Sequence, residues 1–272
     1  MDKKDIQGKL VVVMGAGKSG VAAVKLLSAV GAKPVIYDEN GQLDKATLLT
    51  KIAPYTCDIY AGCLPEEVKK TASILVMSPG IPVDTPFVDG FKELGIPVWG
   101  EIELAYQFAK GRIIGITGTN GKTTTTALTG KIIADFFGKS FVVGNIGDPY
   151  TDAALDTEDG DVTVAEISSF QLETAVDFHP QVSAILNITP DHLNRHHTME
   201  NYVACKQDIT KNQTKSDVCV LNYEDEYLRA FGQQCPARVV WFSSKTVLKD
   251  GFYQVGDMIY RAVDGESISV MN

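Results

Sequence analysis

Short apolar runs alternate with amphipathic stretches through the first part of the chain. Lys9–Met14, Pro34–Asp38 and Ser73–Met77 are rich in Val, Ile, Leu and Met and have the length of strands, whereas Ser19–Val30 and Thr85–Leu94 carry apolar positions at helical spacing. Strands alternating with helices predict a parallel α/β layer arrangement. The alternation restarts at Arg112 with RIIGIT and continues through FVVGN, DVTVAEI, VSAILNIT, VCVLN and RVVWF, each flanked by turn residues or a helical segment. A second α/β domain is therefore expected, joined to the first near residues 105–111, so that the chain divides into 1–106 and 107–272. After Trp241 the pattern changes to DGFYQVGDMIYRAVDGESISVMN, short alternating strands punctuated by glycine, which predicts a short antiparallel section at the C-terminal end. There is no repeat, low-complexity stretch or heptad pattern.

Composition agrees with this picture, since 272 residues that are 44% hydrophobic and 22% charged suffice for one large or two medium globular domains. The opening MDKKDIQGKLVVVMG contains an apolar run, but Gly15 and Lys18 end it before it reaches the length of a signal segment or a membrane span, so a cytoplasmic location is expected. Cys57, Cys63, Cys205, Cys219 and Cys235 form an odd set without a CxxC pair, which points to reduced, mostly core-filling thiols. A net charge of −9 without a Lys/Arg block argues against a general nucleic-acid binder. Anionic ligands would have to be held locally, by backbone N–H groups, a few lysines and metal ions.

Two segments have the form of phosphate-binding loops. Gly15-Ala16-Gly17-Lys18-Ser19-Gly20 follows a strand and opens a helix, with Asp38 ending the next strand. This matches a dinucleotide fingerprint, in which glycines let backbone approach a pyrophosphate at a helix N-terminus and an acid reads a ribose. The residues fit NAD, another diphosphate, or a tight strand–helix turn with no ligand. The second segment, RIIGITGTNGKTTTT over 112–126, is a strand, a glycine-rich turn from Gly118 to Gly121, and then Lys122 and Thr123 at the head of a helix. Such a loop points successive N–H groups at phosphate oxygens, while Lys122 neutralises charge and the Thr123 hydroxyl reaches Mg²⁺. The strict GxxxxGK[ST] spacing fails, because Ile116 stands where it requires glycine.

GITGTNGKTTTT resembles the ATP loop of the Mur ligase family, including its Gly118-x-x-Gly121 spacing. Gly144-Asn145-Ile146-Gly147, Glu166-Ile167-Ser168-Ser169-Phe170-Gln171-Leu172-Glu173 and Asn187-Ile188-Thr189-Pro190-Asp191-His192-Leu193 follow in the family's order, and the SSFQLE wording is most similar to the members that add D-glutamate. The resemblance implies a Rossmann-like first domain (1–106) holding a UDP-linked substrate and a P-loop-type α/β second domain (107–272) holding ATP and Mg²⁺. It implies an ADP-forming acid–amino-acid ligase of peptidoglycan precursor synthesis, with UDP-N-acetylmuramoyl-L-alanine, D-glutamate and ATP as partners and an acyl phosphate between them. The family's central domain continues beyond the point where this sequence stops, and a third domain follows that binds the amino acid. On that basis residues 107–272 are expected to be an incomplete central domain that does not ligate alone.

The resemblance assigns Gly118, Thr119, Asn120, Gly121, Lys122, Thr123 and Thr124 to ATP. Lys18, Ser19, Gly20, Asp38, Ser78, Pro79 and Gly80 are assigned to the uridine nucleotide, and Asn145 and Gln171 to the muramoyl part. Glu39 and Asn40 follow Asp38 where some relatives have a hydroxyl and an arginine, which leaves the uracil contacts unassigned. Thr123, Glu166, His192 and Lys206 as a carbamate are the implied metal ligands, and Lys122, His192 and Lys206 the catalytic set.

Residue chemistry bears on three of these without deciding them. Glu166 ends an apolar strand, where a carboxylate needs a cation, a helix to cap or an arginine. His192 follows a strand and suits either a hydrogen-bonded or a ligating role. Lys206 lies one turn after Tyr202 at the edge of a stripe formed with Cys205 and Ile209, in a helical stretch Met199–Gln213. It fits a snorkelling lysine, or a partly buried amine that reacts with CO₂. An NAD(P)-dependent oxidoreductase built on Gly15–Asp38, a family member with another amino acid, and a nucleotide-gated binding module are the rival readings.

Overall fold

The computed structural model describes residues 6–145 and 147–271; Ile146, one position of the Gly144–Gly147 motif, lies outside the described residues, as do 1–5 and Asn272. The chain forms two compact units. One comprises Met1–Gly111, Val143–Asp159 and Phe170–Phe178, and the other Arg112–Val142, Gly160–Ser169 and His179–Asn272.

The first unit is built on β1 (Leu10–Met14), β2 (Lys33–Asp38), β3 (Asp58–Ala61), β4 (Ile74–Met77) and β5 (Val98–Gly100), all parallel, in the order β3-β2-β1-β4-β5. β1 and β4 are nearly all apolar and buried, as strands covered on both faces must be. The chain runs from β1 to one side of the sheet and later returns to β4 on the other. That change of direction leaves a crevice at the carboxyl ends of β1 and β4, where ligands of open α/β sheets bind. Helix Lys18–Ala29 begins there and buries Gly20, Ala22, Ala23, Val24, Leu26 and Leu27. The core on one face joins Val12, Met14, Val35, Leu75 and Met77 to Val88 and Phe91 of helix Pro86–Glu93. Helix Glu101–Phe108 then buries two carboxylates, Glu101 and Glu103.

The second sheet contains β6 (Arg112–Thr117), β7 (Phe141–Gly144), β8 (Val162–Glu166), β9 (Val182–Ile185), β10 (Val218–Asn222), β11 (Arg238–Ser243), β12 (Gly251–Val255), β13 (Met258–Val263) and β14 (Glu266–Met271). Their order is β14-β13-β12-β11-β10-β9-β6-β8-β7. β6 pairs in parallel with both β8 and β9, so three strand ends converge beside the glycine-rich turn that follows β6. Parallel pairing extends to β12, and the expected antiparallel section consists of β12–β13 and β13–β14. The helical stretch expected over Met199–Gln213 is shorter: an α-helix over Met199–Gln207 tightens into a 3₁₀ turn at Asp208–Thr210. Among the described residues no helix is long and apolar enough to cross a membrane.

Candidate functional site

In the first unit, Lys18, Ser19, Asp38, Ser78, Pro79, Gly80, Asn145 and Gln171 line one cavity of about 540 Å³ together with Gly15 and Gly17. Gly15 has φ +100°, and a Cβ there would sit 2.7 Å from Ser78 Oγ. Gly20 does not line the cavity; a Cβ on it would strike the Gly15 carbonyl oxygen, so this glycine lets helix Lys18–Ala29 pack against its own entry turn. A Cβ on Gly17 would meet nothing within 4 Å, so packing does not require this glycine. Gly17 caps the helix without a side-chain hydrogen bond, and the first bond within the helix runs from Val21 N to Gly17 O. The N–H groups of residues 18–20 therefore have no acceptor in the helix and, with the helix dipole, form a cradle suited to an anion. Asp38 braces this loop: its carboxylate accepts from Ala16 N at 2.9 Å and from Asn40 N at 3.0 Å. Lys18 Nζ, exposed, donates to Gly147 O at 2.6 Å and lies 3.0 Å from Asp148 Oδ1.

In the second unit, β6 leads into a turn with Gly118 at φ +149° and Gly121 at φ +83°, conformations that side chains resist. Helix Lys122–Phe137 starts immediately after, with no side-chain cap on its first N–H groups. Asn187 fixes the turn, which sequence reasoning placed in a motif but gave no task. Its carbonyl accepts from Thr119 N at 2.9 Å, its Oδ1 accepts from Asn120 N at 2.8 Å, and its Nδ2 donates to Asn120 O at 3.0 Å. Thr119 Oγ1 accepts from Thr189 N at 3.0 Å and lies 3.1 Å from Tyr202 Oη. Lys122 Nζ donates to the carbonyls of Gly118 and Thr119, both at 3.0 Å.

Thr123 Oγ1 donates to Glu166 Oε2 at 2.9 Å, bringing two of the expected metal ligands together at the ends of adjacent elements. Glu166 is 1% exposed at the end of β8. Its carboxylate and the hydroxyl are hard oxygen donors suited to Mg²⁺. Lys206, 2% exposed, donates from Nζ to Gly118 O at 2.8 Å and sits 4.7 Å above the Tyr202 ring. Burial, and secondly the Lys122 ammonium, lower its pKa to about 7. His192 is exposed, at φ 52°, with Nε2 3.5 Å from Asp191 Oδ2. Sequence reasoning passed over His196, which is buried with Nε2 2.9 Å from Ser169 Oγ; burial, followed by the charge of Arg195, lowers its pKa to about 4. A histidine packed 5.2 Å from the Tyr202 ring gives no signal that sets it apart from its neighbour His197 in the sequence. Thr124, next in the helix, is exposed.

An α/β chain with a phosphate-type loop facing a buried strand-end carboxylate defines a nucleotide-dependent enzyme class. The family models agree: one described as the Mur ligase middle domain matches residues 116–271, and one described as the Mur ligase MurD-like N-terminal domain matches residues 9–100. The chain belongs to the Mur ligase family. It is 56% identical over 255 residues to the UDP-N-acetylmuramoylalanine–D-glutamate ligase of Lachnospira eligens, covering 94% of this chain and 57% of that one. The enzyme of the same name from Lachnoclostridium phytofermentans is 52% identical over 263 residues, covering 96% and 58%. The chain thus spans less than two thirds of the length of these curated relatives. In fold it is similar to the UDP-N-acetylmuramate:L-alanyl-gamma-D-glutamyl-meso-diaminopimelate ligase from Neisseria meningitides, with TM-score 0.62 at 16% identity, covering 95% of this chain and 85% of that one.

Proposed function

We propose that the chain supplies the two nucleotide sites of an ATP-dependent ligase that joins D-glutamate to UDP-N-acetylmuramoyl-L-alanine in peptidoglycan precursor synthesis. The observation that carries this reading is the Thr123–Glu166 hydrogen bond beside Lys122 at an uncapped helix start, an arrangement suited to a metal-bound triphosphate. The identity to D-glutamate ligases narrows the reading to that amino acid. Residues 1–106 would form the UDP-substrate domain and 107–272 the ATP domain.

In this reading the cradle at Lys18, Ser19 and Gly20 takes the diphosphate of the UDP-linked substrate, and Asp38 with Ser78, Pro79 and Gly80 takes the nucleoside. Asn145 and Gln171 contact the muramoyl part. Gly118, Thr119, Asn120, Gly121 and Thr124 wrap the phosphates of ATP through backbone and hydroxyl groups, and Lys122 turns from the Gly118 and Thr119 carbonyls to the transferring phosphoryl group. Thr123 and Glu166, with His192 and Lys206 as a carbamate, would hold Mg²⁺, which neutralises phosphate charge when bound. The substrate carboxylate oxygen bonds to the γ-phosphorus as the bond to ADP breaks, and the amine of D-glutamate then displaces phosphate to form the amide. Neutral Lys206 amine, favoured by its lowered pKa, is the form that adds CO₂.

Thermal shifts test the reading. UDP-N-acetylmuramoyl-L-alanine and MgATP should each raise the melting temperature, since a ligand at a hundredfold excess over its Kd adds about 2.7 kcal/mol to the native state. Lys122→Ala should lose the MgATP shift and keep the UDP-substrate shift, because the two cradles belong to different compact units. Stabilisation by NAD with none by the UDP substrate would move the assignment to an oxidoreductase.

A further inference from the structure

Helix Glu101–Phe108 carries two buried carboxylates to which the proposed chemistry assigns no role: Glu101 is 2% exposed and Glu103 is fully buried. Both are held by hydrogen-bond donors from the two later segments of the first unit. Glu103 Oε2 accepts from the backbone N–H groups of Val176, Asp177 and Phe178 at 2.8, 3.0 and 3.0 Å, and its Oε1 accepts from Gln107 Nε2. That residue is an anchor for the chain. Glu101 differs, because its donors lead to the cavity. Oε1 accepts from Thr151 N at 2.7 Å and from Thr151 Oγ1 at 2.9 Å, and the carboxylate also bonds the side chain of Gln171, which lines the cavity.

We infer that Glu101 is a positioning residue for substrate selection, fixing the Gln171 amide so that its carbonyl oxygen faces the cavity. Burial raises the Glu101 pKa while the hydrogen bonds from Thr151 and Gln171 pull it back down, and the ionised carboxylate only accepts, so the group Gln171 turns toward it is its NH₂. A carbonyl oxygen turned to the cavity would accept from a ligand hydroxyl or amide N–H and repel a phosphate oxygen. Thr151 makes the arrangement directional by placing two donors on Oε1, which fixes the plane of the carboxylate. The ligand chemistry selected at this wall is therefore a hydrogen-bond donor, of the kind an N-acetylated sugar bearing a peptide supplies and bare UDP does not. This rests on the proposed UDP-substrate site.

The test compares two ligands by calorimetry on the chain: UDP, and UDP-N-acetylmuramoyl-L-alanine. Glu101→Gln places an NH₂ where the carboxylate accepted, so Gln171 must reverse its amide or lose the bond. The variant should bind UDP as the wild type does and bind the muramoyl substrate up to about tenfold more weakly, the size of one lost hydrogen bond between neutral groups. Adding Gln171→Ala to Glu101→Gln should change the muramoyl affinity less than about twofold further, because both act through one contact. Additive losses, an equal loss for UDP, or no loss at all would each overturn the inference. If Glu101→Gln loses its near-ultraviolet dichroism, Thr151→Val takes its place, with a smaller loss confined to the muramoyl substrate expected and an unchanged affinity overturning the proposal. Failure of the wild type to bind the muramoyl substrate would instead overturn the site itself.

Discussion

Lys206 is enclosed, among the described residues, without an anion in hydrogen-bonding contact, held by the Gly118 carbonyl and the face of Tyr202. Its pKa, lowered to about 7 from 10.5 by burial first and Lys122 second, sets a stability profile of definite sign. Between these two values the unfolded chain retains a proton that the folded chain has released, so native stability rises with pH across the window. Below it both states are protonated, and the whole penalty of burying the ammonium remains. Lys206→Met in CO₂-free buffer should therefore be more stable than the wild type at and below pH about 7, with the advantage shrinking toward 10.5. Denaturant unfolding across that range measures it, and a difference independent of pH would contradict the assigned cause. Carbon-13 bicarbonate should then give a carbamate signal with the wild type alone. Sequence pattern put Lys206 at the edge of a buried stripe, because hydropathy counts every lysine as outward. A carbonyl and an aromatic face from elsewhere in the fold supply the partners that burial requires, and no local pattern reports them.

At the scale of elements, the turn between β1 and its helix separates two duties of glycine that share one fingerprint. Gly20 serves packing against the Gly15 carbonyl, whereas a Cβ on Gly17 would meet only open space beside the cavity. Gly20→Ala should cost about 1–3 kcal/mol of stability, the range for forced overpacking. Gly17→Ala should melt close to the wild type and lose affinity for the UDP substrate by crowding the phosphate cradle. Equal destabilisation by both would refute this division. β1, β2 and β4 were legible because strands covered on both faces read as continuous apolar runs. β3, the half-exposed DIYA, and β5, three residues long, are too short and too mixed to stand out. Helix Glu101–Phe108 escaped notice for another reason. Its glutamates read as a solvent-facing stripe, and, apart from Gln107, the donors that make their burial tolerable lie 50 to 75 positions away. The two glycine-rich loops were plain in the sequence because glycine conformation and helix starts are local properties. The braces Asn187 and Asp38 apply to them depend on strands meeting at one sheet edge.

At the scale of the molecule, the restart of strand and helix at Arg112 was visible, but the grouping of residues into compact units is not contiguous. Val143–Asp159 and Phe170–Phe178 belong with the first unit, and sequence pattern, which reads neighbours, carries no trace of this. Glu101 and Glu103 show why, since the donors that satisfy them arrive with Thr151 and with Val176, Asp177 and Phe178. Consider the chain as it leaves the ribosome. When residue 111 emerges, the five-stranded sheet has all its strands, yet the two carboxylates of the helix lack the donors of Thr151, Gln171 and residues 176–178, and Gln107 alone reaches Glu103. They must stay hydrated, holding helix Glu101–Phe108 off its seat, until synthesis reaches Phe178. Nascent chains stalled with residues 1–111 outside the ribosome should be cut readily within this helix by a brief protease pulse, and chains exposing 1–178 should resist. Equal resistance at both lengths would mean that the sheet alone seats the helix. The first unit is thus not finished when its sheet is, and translation itself sets the interval during which its acidic helix waits for partners.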